Sequence, residues 1–387
     1  MKGREAVIVA AARTPIGRGH PEKGVFRDTH PNVLLGAVYR AVIERTGIDP
    51  EVVDNVVNGC VQQFGEQSLN IGRNAWLQEG LPESTPASTL DAQCGSAQQA
   101  VNVAASLVAS GAHDVVIAAG VEHMGHIPLG TAQKVAEDYG TPWPRELLDR
   151  YNLVPQGLAA EMIADRWEIP RSELDQLALT SHRRATRARD EGRFDAEIVP
   201  IETPHGTVTA DQGIRPDTSL EQLAALPPVF REDGRVTAGS SSQISDGAAA
   251  VLIMSADAAK ALGVPARARI VDQAMTGVDP VLMLTGPITA TQKLLERNAM
   301  KIDDIDLFEV NEAFAPVIGA WQREVDADLE RVNVNGGAMA LGHPLGSSGA
   351  RLVTTLLHEL ERSDRETGLV TMCCAGGLGT GTLIQRV

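Results

Sequence analysis

An internal duplication constrains the fold of this sequence more than any other feature. Four segments of the first half recur in the same order in the second half, each displaced by roughly 252 residues. The four pairs are residues 33–49 and 288–303, 54–61 and 306–314, 95–100 and 347–352, and 114–122 and 368–377. Repetition in a fixed order and at a fixed offset is typical of repeated structural units. The sequence therefore predicts two domains of similar fold.

Each predicted domain alternates strands with helices. Residues 114–122 and 368–377 are almost entirely apolar, which is typical of strands in a sheet that carries helices on both faces. Residues 33–49 and 288–303 instead repeat apolar positions at helical spacing. The pattern predicts two α/β domains.

A different kind of segment separates the two halves. Residues 124–244 are rich in proline and charge, and they include the run HRRATRARDEGR from His182 to Arg193. We interpret them as an inserted loop domain that covers the substrate site, with the charged run mainly a solvated helix face. The N-terminal domain is expected at residues 1–123, completed by about 245–265. The C-terminal domain is expected at residues 266–387.

The composition limits the partners of the chain. Over 387 residues, 43% are hydrophobic and 22% are charged, a balance that excludes a disordered chain. With 34 Lys and Arg against 50 Asp and Glu, the net charge is -16. This charge argues against binding to nucleic acid or to an anionic membrane. It is compatible with a local basic site for an anionic small molecule.

The cysteines and the apolar runs indicate the cell compartment. Cys60, Cys94, Cys373 and Cys374 contain no C-x-x-C pair, and they are too few for a disulfide framework. No run reaches the roughly 18 apolar residues of a membrane-spanning helix, and residues 6–12 are too short for a secretion signal. We therefore expect a cytoplasmic protein. Because no cysteines and histidines cluster at metal-ligand spacing, no metal is expected.

Cys94 is the first candidate for a reactive side chain. It lies in DAQCGSAQQA from Asp91, where a short extended run meets an amphipathic helix. The partial positive charge at a helix N-terminus stabilises a thiolate, so the pKa of Cys94 is expected to fall and its thiol to act as a nucleophile. Taken alone, this segment fits a buried cysteine that packs as a small hydrophobic residue somewhat better.

His343 is the second candidate. It lies in the glycine-rich stretch NVNGGAMALGHPLG from Asn333. Glycines permit a tight loop that exposes the imidazole, and a neutral histidine beside a cysteine can take its proton. The alternative is a loop built on glycines for turn geometry, with an incidental histidine. No Gly-Lys-Ser/Thr follows, so the stretch is not a phosphate-binding P-loop.

Two strand ends carry the remaining candidates. Cys373 and Cys374 end an apolar run that enters a glycine-rich turn, and only one of two neighbouring strand residues can face a given site. The chain ends six residues after Gly381, which leaves no room for the βαβ unit of a dinucleotide site. Asn311 follows the run from Asp306 and points either into the crevice at the strand end or to the N-terminus of the next helix as a cap.

Together these motifs resemble those of the thiolases, specifically a 3-ketoacyl-CoA thiolase (acetyl-CoA acyltransferase) of the degradative type, over essentially the whole chain. The blocks that carry the resemblance are Arg13–Gly17, Asp91–Ala100, Val121–Gly125, Thr237–Ser242, Asp246–Ala249, Asn311–Ala315, Gly336–Arg351 and Cys373–Gly379. The resemblance implies a thiolase-like fold, in which mixed sheets are layered with helices. It also implies cleavage of a 3-ketoacyl-CoA by CoA through an acyl-cysteine, in the β-oxidation of fatty acids or sterol side chains.

The resemblance further implies a role for each candidate. Cys94 would be the acylated nucleophile, and His343 would activate it. Cys373, rather than Cys374, would be the acid and base at the α-carbon of acetyl-CoA. Asn311 would hold a water that binds the enolate oxygen together with His343.

The same resemblance implies the binding groups and partners. The backbone N–H groups of Cys94 and Ala375 would form the other oxyanion hole, Ser242 would contact the pantetheine, and Arg215 would lie near the CoA phosphates. CoA and acyl-CoA thioesters are substrates, and no cofactor is implied. A homodimer or homotetramer is expected, and a complex with a β-oxidation hydratase/dehydrogenase stays open.

Three alternatives accompany this reading. They are a biosynthetic acetoacetyl-CoA thiolase, a decarboxylating ketoacyl synthase, and a non-catalytic acyl-CoA or sterol carrier. Cys373 argues against the synthase, and the set of Cys94, His343 and Cys373 argues against the carrier. Residues 127–157, which depart at Gln156 from the pattern of several thiolases, are expected to set the preferred acyl group.

Overall fold

The computed structural model describes residues 4–387. Its strands alternate with helices in both halves of the chain. The strands are β1 (Ala6–Arg13), β2 (Gly17–Arg18), β3 (Asn55–Gly59), β4 (Ala87–Leu90), β5 (Val115–His123), β6 (Ile201–Thr203), β7 (Gly206–Val208), β8 (Ser245–Ser255), β9 (Ala268–Gly277), β10 (Leu307–Val310), β11 (Thr367–Cys374) and β12 (Leu378–Arg386).

The helices include two long ones at equivalent places in the two halves, α3 and α13. The full set is α1 (Pro31–Thr46), α2 (Ile71–Gln78), α3 (Ser96–Ser110), α4 (Thr131–Tyr139), α5 (Arg145–Arg150), α6 (Gln156–Arg166), α7 (Arg171–Asp190), α8 (Leu220–Ala224), α9 (Ala256–Leu262), α10 (Gly286–Arg297), α11 (Ala315–Val325), α12 (Ala338–Leu341) and α13 (Ser348–Arg362). Among residues 4–387, no helix combines the length and the apolar character needed to cross a membrane.

The main sheet consists of two halves with matching topology. Its strand order is β10-β11-β12-β9-β1-β8-β5-β3-β4, with β2 paired to β8. In the first half, β3 is parallel to β5, and β5, β8 and β1 follow in antiparallel pairs. In the second half, β10 is parallel to β11, and β11, β12 and β9 follow in antiparallel pairs. The predicted duplication and the α/β class are therefore confirmed.

The two half-sheets join at a narrow seam. β1 and β9 are paired only through Val7 with Arg269 and Ile8 with Ala268. The duplication is imperfect at the outer edges of the sheet. In the first half β4 is a full edge strand, whereas in the second half a single bridge between Phe308 and Val332 takes its place.

Helices cover both faces of each half-sheet. The buried side chains of α3 and α13 pack between the two half-sheets and form a central apolar layer. Helices α1 and α2 cover the outer face of the first half, and α10 and α11 cover the outer face of the second. In β1, Val7 contacts the outer layer and Ile8 the central one. Because alternate residues face different layers, and both layers are apolar, the strands read as continuous apolar runs.

The central helices approach each other closely at their N-terminal ends. A Cβ atom at Gly349 would lie 2.2 Å from the backbone N of Gln98, so only glycine fits at this crossing. The loops that precede α3 and α13 are therefore brought to one place.

The segment between the halves contains α4 to α8 and the β6–β7 hairpin. Its helices α6, α7 and α8 share an apolar core with residues of the second half, including Met339 and Cys373. Helices α4 and α5 bury no residue. The inserted segment thus contacts the same region that the sequence singled out for chemistry.

Candidate active site

Cys94 lies in a tight turn between β4 and α3. Gln93, immediately before it, has a left-handed φ of 52°. The turn is held by hydrogen bonds from Gln93 N to Asp91 Oδ1 (2.6 Å) and from Ala92 N to Ser96 Oγ (2.9 Å). A non-glycine residue in this conformation stores backbone strain, and strained residues concentrate at functional sites.

The environment of Cys94 favours the thiol over the thiolate. The side chain is 3% exposed. Burial raises the pKa of Cys94 to about 12, and it outweighs the opposing effect of the backbone N–H groups of Ala375 and Cys94, which point at the sulfur. The expectation that the helix terminus lowers this pKa is therefore wrong for the resting site, because desolvation exceeds the N–H contributions. Cys94 needs a base to become a nucleophile.

His343 is an unprotonated imidazole and can therefore accept a proton. It is 4% exposed, and burial, helped by the nearby positive charge of Arg351, lowers its pKa to about 3. The imidazole is therefore neutral near pH 7. Its Nε2 lies 3.3 Å from Asn311 Nδ2. Its Nδ1 lies 2.6 Å from Ser348 Oγ.

Asn311 is the residue that directly follows β10. Its backbone N donates to Thr371 O (3.0 Å), which extends the β10–β11 pairing by one residue. Its Oδ1 is buried and has no protein hydrogen-bond partner. Buried polar atoms of this kind are commonly satisfied by an ordered water, so the amide has a free acceptor beside the His343 ring.

Cys373 and Cys374 face opposite sides of β11. Cys373 belongs to the apolar core shared with the inserted segment, whereas Cys374 belongs to the central layer. The Cys374 thiol meets the backbone N–H of Gly95 and the Thr380 hydroxyl. For the Cys373 thiol, burial raises the pKa, and the nearby Cys94 raises it further. Both thiols lie near Cys94, but only that of Cys373 lies in the core shared with the inserted segment.

The loop that carries His343 packs against the beginning of α3. A Cβ atom at Gly120 would lie 2.1 Å from Gly346 O and 2.7 Å from Ala97 Cβ. Cys94 and Leu345 also share the central apolar layer. The loop that carries His343 and the start of α3, which follows Cys94, therefore pack against the same residue of β5.

The two residues expected to bind substrate, Ser242 and Arg215, differ in their surroundings. The half-buried Ser242 donates its backbone N–H to Ala313 O (2.9 Å), two residues beyond Asn311. Arg215 is exposed on the inserted segment, and its backbone N–H donates to His182 Nδ1 (3.2 Å). It lies next to a surface groove of about 380 Å³ lined by Arg183, Thr186, Arg187, Asp190, Glu191 and Pro216. Ser242 is thus bound to the segment that follows Asn311, and Arg215 is at the surface.

Two residues that the sequence did not single out support the site. Glu122, at the end of β5, is fully buried. Its carboxylate accepts hydrogen bonds from the backbone N–H groups of Val61, Gln62 and Gly346 and from Gln67 Nε2. Ser348 contacts the His343 ring. Glu122 could have been identified from the sequence, because a carboxylate at the end of an apolar strand is unusual. Ser348 could not, because nothing in the local pattern distinguishes it from Ser347.

Within residues 4–387 there is no cluster of three or more His, Cys, Asp or Glu side chains that could hold a metal ion. The arrangement that the structure does contain is a buried thiol with two backbone N–H groups, a second thiol, and a neutral imidazole with an amide. These groups can form a covalent bond to a carbonyl, bind an oxyanion and move protons.

Comparison with known proteins agrees with this chemistry. The family model "Thiolase, N-terminal domain" matches residues 6–257, and "Thiolase, C-terminal domain" matches residues 264–386. The chain is 46% identical to the steroid 3-ketoacyl-CoA thiolase FadA6 of Mycobacterium tuberculosis, over 99% of this chain and 94% of the relative. It is 42% identical to a 3-ketoacyl-CoA thiolase of Aliivibrio fischeri, over 99% and 100% of the two chains.

A solved structure also matches the chain over the full length of both proteins. The Bacillus anthracis acetyl-CoA acetyltransferase superimposes with a TM-score of 0.90 at 36% identity, with each chain covered completely. The two family models together, and each of the two relatives alone, cover nearly the whole chain. The chain therefore belongs to the thiolase family of acyltransferases.

Proposed function

We propose that the chain cleaves a 3-ketoacyl-CoA with CoA, giving acetyl-CoA and an acyl-CoA that is two carbons shorter. The observation that supports this proposal is the proximity of two buried thiols, Cys94 and Cys373, in a region where the loop of the neutral His343 packs near the start of α3. A Claisen-type cleavage needs a nucleophile for the 3-keto carbon and a proton donor for the enolate that departs. In this proposal the thiol of Cys94 is the nucleophile, and the thiol of Cys373 is the proton donor.

The first half-reaction forms an acyl-enzyme. His343 Nε2 takes the proton of Cys94, and the thiolate attacks C3 of the substrate. The C2–C3 bond breaks, the acyl group stays on Cys94, and the enolate of acetyl-CoA takes a proton from Cys373. His343 and a water held by Asn311 bind the enolate oxygen, which stabilises the charge that develops there.

The second half-reaction releases the acyl group. The Cys373 thiolate takes the proton of a CoA thiol, and the resulting thiolate attacks the acyl carbonyl carbon. The carbonyl oxygen accepts hydrogen bonds from the backbone N–H groups of Cys94 and Ala375. The bond to Cys94 sulfur breaks, and protonated His343 returns its proton to that sulfur, so the resting site is restored.

Substrate binding uses residues near the mouth of the site. In this proposal Ser242 contacts the pantetheine arm and Arg215 pairs with the CoA phosphates. Because the two thiols and His343 supply every proton transfer, the reaction needs no cofactor beyond CoA itself. A chelator such as EDTA should leave the activity unchanged, and light scattering should report a homodimer or homotetramer.

The names of similar proteins suggest two candidates for the acyl group. The relative with 46% identity is named for steroid substrates, which favours a bulky acyl group, while a neighbour named acetyl-CoA acetyltransferase keeps acetoacetyl-CoA as the second candidate. The kcat/KM values for steroid-derived, linear and acetoacetyl thioesters separate these possibilities.

The basic test mixes the protein with a 3-ketoacyl-CoA, with and without CoA. We expect equal amounts of acetyl-CoA and shortened acyl-CoA, formed only when CoA is present. Thioester binding with neither product nor a covalent acyl-enzyme would indicate a carrier and overturn the proposal.

A further inference from the structure

The Nδ1 side of the His343 ring is fastened by a single hydroxyl. Ser348 Oγ lies 2.6 Å from His343 Nδ1. The same oxygen lies 2.8 Å from Pro344 O, to which it donates. Ser348 is fully buried and is the first residue of α13.

Because the Ser348 hydroxyl has a single proton, its hydrogen bonds indicate which nitrogen of the His343 ring is protonated. A serine hydroxyl has one proton, and the carbonyl oxygen of Pro344 can only accept. When the Ser348 proton is used there, Oγ can meet Nδ1 at 2.6 Å only as an acceptor, so Nδ1 carries a proton. Because the imidazole is neutral, Nε2 then has no proton.

The other side of the ring agrees with this assignment. In the assigned orientation of the amide, Asn311 presents Nδ2 to His343 Nε2 at 3.3 Å, an arrangement that matches an unprotonated Nε2. The backbone N of His343 is also tied, to Ser245 Oγ (3.1 Å) and Gln243 O (3.2 Å). Both ring nitrogens and the backbone are thus fixed by separate partners.

We propose that Ser348 is a positioning residue that holds His343 in the tautomer whose unprotonated Nε2 can take the proton of Cys94. This inference rests on the proposed function, because the tautomer matters only if His343 is the base. A ring with the opposite tautomer would present an N–H to the thiol and could not deprotonate it. The role resembles that of any acceptor that fixes a catalytic imidazole from its far side.

The chain provides a matched control in the preceding residue. Ser347 is equally buried, and its hydroxyl donates to the same carbonyl, Pro344 O (3.2 Å), but it makes no hydrogen bond to His343. Ser347→Ala therefore removes a buried hydroxyl from the same turn without touching the ring. Any effect of Ser348→Ala beyond that of Ser347→Ala is due to the contact with Nδ1.

The first measurement is the rate at which iodoacetamide alkylates Cys94, which needs no turnover. We expect Ser348→Ala to slow alkylation and to lower kcat by about tenfold, the effect of one lost hydrogen bond, with KM and the melting temperature within the range of Ser347→Ala. Equal alkylation rates and equal kcat in the two variants would overturn the proposal. If all proteins alkylate alike but thiolysis proceeds, the proposed function stands and only the role of Ser348 fails.

The second measurement reads the ring in the unmodified protein, so its result does not depend on the stability of Ser348→Ala or Ser347→Ala. The ¹⁵N resonances of the His343 ring, assigned with a His343→Gln variant, report which nitrogen carries the proton. We expect a protonated Nδ1 and an unprotonated Nε2. A proton on Nε2 in the resting protein would refute the assignment.

Discussion

Replacing Cys373 with serine should separate carbon–carbon bond cleavage from acylation. The substitution keeps the size and the position of the side chain but replaces the thiol with a hydroxyl that is a far weaker acid. Cys94 retains the N–H groups of Cys94 and Ala375 and its base, and the CoA thiolate is a good leaving group that needs a proton donor far less than an enolate does. Cys94 should therefore still accept an acetyl group from acetyl-CoA. The enolate, however, would lose its proton donor.

The size of the effect follows from the position of the thiol. General acid–base groups typically contribute about 10²–10⁴-fold to a rate, and the Cys373 thiol is buried beside Cys94, where no solvent replaces it. We therefore expect kcat for thiolysis to fall by about 10²–10⁴-fold in Cys373→Ser. The assay is deuterium uptake at C2 of acetyl-CoA in heavy water, which should vanish together with thiolysis.

Cys374→Ser is the internal control for this experiment. The Cys374 thiol faces Gly95 and Thr380, so its replacement should cost about 1 kcal/mol of stability, as an ordinary buried substitution does. Deuterium uptake should persist. Persistence in Cys373→Ser combined with loss in Cys374→Ser would refute the assignment of the two faces of β11.

Four further outcomes test other parts of the site. Cys94→Ala should abolish acetyl labelling by acetyl-CoA, and one acetyl group per subunit by intact mass in that variant would exclude Cys94 as the nucleophile. Asn311→Ala should lower kcat by about 10²–10³-fold, as expected for a lost oxyanion donor, and much more than it raises KM; a normal kcat would remove Asn311 from the mechanism. Exchanging residues 127–157 for those of a short-chain relative should shift the preferred acyl chain length while leaving acetyl transfer intact, and an unchanged preference would place the determinant elsewhere. Burial raises the pKa of Asp246 to about 7, so at this residue the folded state keeps a proton that the unfolded state releases. The contribution of Asp246 to stability therefore falls as the pH rises from about 4 to about 7. Relative to the unmodified protein, Asp246→Asn should gain Tm over that range, and a constant difference in Tm between the two proteins would contradict this.

The sequence alone was sufficient for the features that depend on local pattern. The offset between Asp54 and Asp306 predicted the equivalence of β3 and β10, because apolar periodicity and strand length are local properties. The alternation of side chains along a strand likewise separated Cys373 from Cys374. The motifs around Cys94 and His343 indicated the family, which both family models confirm.

Other features depend on packing between distant segments, and only the tertiary structure decided them. Burial, and not the helix terminus, controls the pKa of Cys94, because desolvation is produced by every layer that encloses the thiol. The continuity of the sheet rests on two residue pairs between β1 and β9, which no local pattern announces. Ser347 and Ser348 are neighbouring residues of the same type, so the sequence does not distinguish them. Only Ser348, the first residue of α13, contacts the His343 ring in the folded protein.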